Sequence, residues 1–212
     1  MRILLAVLLA TVLAHPGHSQ DGRPGVFDYY VLSLSWSPNW CLREGDARRS
    51  EQCAADSGHG WILHGLWPQY DRGYPSFCQT AERPPSRGMT AAMADIMGTA
   101  GLAWHQWKKH GTCSGLSARG YYALSRDAYA RINRPEILRQ LKRQVELPAS
   151  VIEEAFLKAN PDLRADGITI TCTSNLIQEA RICLSKSLDP VRCGPDVIRD
   201  CRLDRAVFAP LR

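Results

Sequence analysis

Eight cysteines, Cys41, Cys53, Cys78, Cys113, Cys172, Cys183, Cys193 and Cys201, are spread through 212 residues, and no two stand in a CxxC pair. A zinc ribbon therefore lacks its ligand spacing. An even count in an exported chain points instead to disulfides, each stabilising by ~2–4 kcal/mol, mainly by restricting the unfolded chain. Spacing alone leaves about 105 pairings open. The N-terminus supplies the export context. Arg2 gives a positive start, residues 3–13 form an apolar run too short to span a bilayer, and small residues suited to cleavage follow at Ala14 or at Gly17 and Ser19. Residues 1–19 read as a signal peptide, with cleavage near 14–20, and residues 20–212 as a single domain. No second apolar stretch is long enough for a membrane anchor.

The formal charge is +5 and falls to +4 once Arg2 leaves with the leader. That mild basicity suits a polyanionic partner without demanding one. The densest basic stretch, Arg131, Arg134, Arg139, Lys142 and Arg143, reads first as a solvated helix face. Branched and aromatic residues predict strands over 26–34 and 60–66. Residues 75–88, with three prolines, predict a loop. Helices are expected over 90–99, over 103–110 with Gly111 ending it, and over 121–132. Another should open at Pro135, and one at Ser150 with Glu153 completing a capping box. Strands over 168–173 and 176–184 follow. The order strand, helices, strand argues for an α+β fold, a central antiparallel sheet flanked by helices and stapled by disulfides.

Four histidines remain after the leader: His59, His64, His105 and His110. Three lie in two short segments, His64-Gly65-Leu66-Trp67-Pro68 and Trp104-His105-Gln106-Trp107-Lys108-Lys109-His110-Gly111-Thr112-Cys113. On a helix, His105 stacks over Lys109 and Gln106 over His110, on ridges about 100° apart. Two imidazoles, an ammonium and an amide then line one edge, which suits the oxygens of a phosphate. A metal site fits poorly, since His105 and His110 are five apart and neither segment holds a carboxylate. No metal or other cofactor is expected. Paired imidazoles flanking a phosphate are instead an acid–base pair, one neutral and one protonated. RNA carries its own nucleophile, the 2′-hydroxyl. Such a pair would yield a 2′,3′-cyclic phosphate and leave DNA uncut.

The segments HGLWP and HQWKKHGTC resemble the two active-site blocks of the ribonuclease T2 family, and residues 27–41, FDYYVLSLSWSPNWC, resemble its first strand. The resemblance implies a metal-independent endoribonuclease that cuts single-stranded RNA to a 2′,3′-cyclic phosphate and then a 3′-phosphate. His64 matches its general acid, His110 its general base, His105 a phosphate ligand, and Lys109 the cation that stabilises the phosphorane. Trp67 matches a base-stacking residue, and Tyr74 would form the second wall of that pocket. The chain departs from the family at Gln106, where Glu is usual, and at Gln69, where some relatives carry an Asp that reads the base. The strand LSLSWSP is similar to bacterial members, which implies a periplasmic or secreted protein, a monomer acting on RNA without a membrane partner. The family also implies the pairs Cys78–Cys113, Cys172–Cys201, Cys183–Cys193 and Cys41–Cys53. The alternative is a catalytically weak or inactive T2-fold protein that only binds RNA, and a third reading is a metal-dependent phosphoesterase.

Overall fold

The computed structural model describes residues 22–212, so the expected signal peptide lies outside the described residues. In chain order the elements are β1 (Tyr29–Trp36), α1 (Ser37–Trp40), β2 (Trp61–Gln69), α2 (Arg87–Ala91), α3 (Ala94–Met97), α4 (Ala100–Lys109), α5 (Ala118–Arg131), β3 (Val145–Leu147), α6 (Ala149–Ala159), β4 (Ile168–Thr173), β5 (Leu176–Leu184) and β6 (Ala206–Phe208). The strands form one six-stranded sheet in the order β2-β1-β5-β6-β3, with β4 also paired to β5. Every pairing is antiparallel except the single parallel contact of β5 with β6. The fold is therefore α+β, with helices packed on a central sheet.

Strand β1 is buried along its whole length. Tyr30, Leu32, Leu34 and Trp36 face the main core and Tyr29 and Val31 a smaller apolar cluster, so both faces are covered although Ser33 and Ser35 break the apolar run. At its end Trp36 stacks on Phe208, with ring centroids 4.3 Å apart, and meets Trp61 at 5.2 Å. The Trp36 indole N–H donates to Ala209 O at 2.9 Å, so this buried indole keeps its polar atom satisfied. Phe156 of α6 closes the cluster against Trp61. The four disulfides join Cys41–Cys53, Cys78–Cys113, Cys172–Cys201 and Cys183–Cys193, the pairing that the family resemblance implied. No helix among the described residues is long and apolar enough to cross a membrane.

Several local expectations are corrected. The helix expected over 90–99 is two short helices, and the first begins inside the expected loop because Ser86 caps it by accepting from Met89 N. Pro135 opens only a 3₁₀ turn, Glu136–Arg139. The basic stretch is thus no continuous helix face; the Arg134 guanidinium instead donates to Tyr129 O and Ile132 O, at 2.6 and 2.9 Å. Helix α6 starts one residue before Ser150, after Pro148, and no side chain caps it. The Ser150 capping box does not form, because the fixed φ of Pro148 already sets the chain's entry. Gly111 does not end α4 in a left-handed turn. It opens a 3₁₀ turn, and any Cβ there would meet Trp107 at 2.5 Å and Tyr121 at 2.9 Å. Strands β3 and β6 have three residues each and were too short to show a period.

Candidate active site

Two irregularities in the sheet place the first group of side chains. Ser33 of β1 faces Gly65 of β2, and Leu34 faces Leu63, so His64 is the extra residue of a β-bulge. A bulge twists its strand and re-aims one side chain. A second bulge lies across the sheet: Thr171 faces Glu179, and Cys172 faces Ile177, leaving Gln178 extra on β5. The result brings His64 Nδ1 against Glu179 Oε1. The Arg181 guanidinium holds the other carboxylate oxygen, Nε at 2.9 Å and Nη2 at 2.7 Å. The Glu179 side chain is 1% exposed. Burial pushes its carboxyl up, but His64 and Arg181 together overcome that and hold it at about 2. An ionised Glu179 must accept, so His64 carries its hydrogen on Nδ1 and turns Nε2 the other way.

Helix α4 supplies the second group. Thr99 caps it, accepting from Leu102 N at 3.1 Å. Its buried stripe is Ala103, Gln106, Trp107 and, just past its last residue, His110, at the i, i+3, i+4, i+7 spacing of an amphipathic helix. Two of those four are polar, and both have a purpose in the site. Gln106 Oε1 accepts from the Trp67 indole N–H at 2.8 Å. Gly65 makes that contact possible, since a Cβ there would meet Gln106 Oε1 at 2.2 Å and Trp67 Nε1 at 2.3 Å. His110 is 4% exposed and stacks on Trp67 at 5.2 Å, 22° from parallel. Burial, then the charges of Lys109, His64 and His105, push His110 well below the ordinary histidine value. His105, on the exposed side of α4, is also lowered, by burial first and then by Lys109 and Lys108.

These residues line one cavity of about 480 Å³. All eight positions expected from sequence reach it: His64, Trp67, Gln69, Tyr74, His105, Gln106, Lys109 and His110. Tyr74 is half exposed and lies 6.3 Å from the His110 ring, with Lys109 Nζ 5.9 Å from its own ring centre. Gln106, 1% exposed and bonded to Trp67, shares the buried ridge of α4 with His110, and His105 shares the more exposed ridge with Lys109, as the helix spacing predicted. Sequence reasoning missed Glu179, Arg181, Asp196 and Arg199, which also line the cavity. Glu179 had one local signal, a lone carboxylate in an otherwise buried strand. Asp196 had none, because only the tertiary fold brings it there. A second cavity of about 600 Å³ shares His64, His105 and Gln178 with the first and is also lined by Arg43 and Arg48, both paired with Glu44. Among the described residues no three His, Cys, Asp or Glu side chains gather as a metal-holding group.

A neutral, buried imidazole and a second imidazole backed by a carboxylate thus face one cavity, with Lys109 and His105 beside them. That is an arrangement for moving two protons around an anion. The family model of the Ribonuclease T2 family matches residues 27–193. A ribonuclease of Aeromonas hydrophila is 35% identical over 211 residues, covering 92% of this chain and 89% of that protein. Among solved structures, an RNase-related protein from Calystegia sepium superposes with a TM-score of 0.69 at 21% identity, over 86% of this chain and 97% of that one. RNase NT in complex with 5′-AMP superposes with a TM-score of 0.59 at 19% identity, over 88% and 99%.

Proposed function

This chain belongs to the ribonuclease T2 family and is an endoribonuclease, and we propose that it cuts single-stranded RNA, without a metal, by attack of the RNA's own 2′-hydroxyl. The carrying observation is the contrast between the two imidazoles of one cavity. His110 is buried and held neutral, the state of a base. His64 is backed by an ionised carboxylate, the setting of an acid.

In the first step His110 takes the 2′-hydroxyl proton as that oxygen attacks phosphorus. The bond from phosphorus to the leaving 5′-oxygen breaks, and His64 gives that oxygen a proton. The products are a 2′,3′-cyclic phosphate and a 5′-hydroxyl. Water then opens the ring with the roles reversed, leaving a 3′-phosphate. Lys109, as a cation, and His105, as a hydrogen-bond donor, stabilise the charge that gathers on the non-bridging oxygens. Trp67, held by Gln106, carries the stack on which His110 rests. DNA lacks the nucleophile and stays intact. The nucleotide held by RNase NT supports a nucleotide-sized ligand for this cavity. Four disulfides suit an oxidising compartment, and the leader would deliver residues 20–212 there as a monomeric domain. The test is digestion of single-stranded RNA by the purified protein in excess EDTA. Undiminished cleavage is expected. Loss of activity that a divalent metal restores would overturn the reading.

A further inference from the structure

The Arg181 guanidinium has more donors than the protein uses. An arginine presents its N–H groups in a planar fork with two usable edges. Glu179 Oε2 accepts from Nε at 2.9 Å and lies 2.7 Å from Nη2, which takes up the inner edge. Among the described residues no other group accepts from this guanidinium. The outer edge, Nη1 with the second hydrogen of Nη2, is left open. Glu179 is 1% exposed and Arg181 28%, so the exposure of Arg181 lies on the side away from its partner, where it lines the cavity.

The sheet explains how a residue of β5 reaches the site. Gly65 of β2, Ser33 of β1 and Arg181 of β5 are register partners in one row and share a face. The first two are small and leave that face open. The Trp67 indole folds over Gly65, whose Cβ would meet Trp67 Nε1 at 2.3 Å. The guanidinium carbon of Arg181 lies 5.4 Å from the centre of the Trp67 ring. Both proton-transfer imidazoles surround the same indole, His64 at 5.3 Å and His110 at 5.2 Å. Glu179 also joins Arg181 to His64, giving one carboxylate oxygen to each. A permanent cation therefore stands beside the acid–base pair on the sheet side of the cavity, while Lys109 and His105 come from the helix.

We propose that Arg181 is a catalytic residue whose outer edge donates two hydrogen bonds to the non-bridging oxygens of the scissile phosphate. The assignment rests on the acid–base reading above. The planar fork matches two oxygens of one phosphate. An ionised carboxylate next to an anion site would by itself repel the substrate. Arg181 answers Glu179 on one edge and the phosphate on the other, so the carboxylate can hold His64 without that cost. Charge on the non-bridging oxygens grows as the 2′-oxygen adds, and the contact strengthens with it.

The experiment measures the affinities of 3′-UMP and of uridine, and kcat/KM on one dinucleotide, for the wild type, Arg181→Gln and Arg181→Lys. Uridine carries no phosphate, so the gap between the two ligands reads the phosphate contact. In Arg181→Gln the 3′-UMP affinity should fall about tenfold or more, the worth of charge-assisted hydrogen bonds. Uridine affinity should stay the same, and kcat/KM should fall by at least as much as the 3′-UMP affinity. Arg181→Lys keeps a cation for Glu179 but loses the fork, and should still bind 3′-UMP several-fold more weakly than the wild type. Unchanged 3′-UMP affinity in both variants overturns the assignment, and so does an equal loss for uridine. A lysine variant that matches the wild type in 3′-UMP affinity and rate makes Arg181 a distant charge and overturns it too. If Arg181→Gln does not fold, the lysine variant decides alone. If the wild type does not cleave RNA, the acid–base reading fails, and the two affinities still decide whether Arg181 holds a phosphate.

Discussion

Replacing Glu179 with glutamine keeps the shape of the buried side chain and removes its charge. The carboxyl lies at about 2 against an ordinary value of 4.5, which corresponds to about 3 kcal/mol of preference for the charged form. A depressed acid stabilises the fold fully above its unfolded value and loses that contribution as pH falls from about 4.5 toward about 2. Wild-type stability should drop across that window, and the variant should lack this component. At neutral pH the variant should be less stable by about 1–3 kcal/mol, since Arg181 loses its partner but is 28% exposed and can turn to water. The kinetic effect is separate. Without the anion on Nδ1, His64 loses the group that orients it. We expect kcat/KM to fall about 10–100-fold, by analogy with the loss of the carboxylate that orients a metal-bound histidine. The assay is kcat/KM against pH on one dinucleotide, with urea unfolding at pH 7 and pH 3. A variant that is less stable, yet keeps the wild-type kcat/KM at a pH where it is fully folded, would refute the positioning role.

His64→Ala and His110→Ala should each lower kcat by ~10²–10⁴-fold, because each removes one proton-transfer group; a variant keeping more than about a tenth of the rate would reject its assignment, and His59→Ala, outside the cavity, should be far milder. The ascending limb of the wild-type profile should lie well below 6.5, since burial and the neighbouring cations keep His110 neutral there; a limb centred above that value would contradict His110 as the base. Gly65→Ala forces a Cβ into Gln106 and Trp67, and should cost about 1–3 kcal/mol in urea unfolding together with activity; wild-type behaviour in both would show that the Trp67–Gln106 contact is dispensable.

The two histidine segments were legible because each is contiguous and its residues act through local geometry, a strand with one re-aimed side chain and the end of one helix. The eight expected site positions meet in one cavity for that reason. Glu179 was less legible. Its chemistry depends on a sheet register that sets β5 two strands from His64, and on a bulge that no periodic pattern announces. Gln106 was placed on the ridge of His110, where it lies, but its bond to Trp67 of β2 depends on the tertiary fold. Asp196 lies in an irregular segment just after the Cys183–Cys193 bridge, and nothing in its neighbours marks it. The Ser150 capping box failed for a related reason: a local pattern was outweighed by the proline before it.

The central claim is that the substrate's own 2′-oxygen is the nucleophile. It is tested most directly by following cleavage of an RNA dinucleotide and its 2′-deoxy counterpart by phosphorus NMR in excess EDTA. The account predicts that the ribonucleotide passes through a 2′,3′-cyclic phosphate before a 3′-phosphate appears, and that the deoxy compound stays whole. Cleavage of the deoxy compound, or a product carrying a 5′-phosphate, would contradict it.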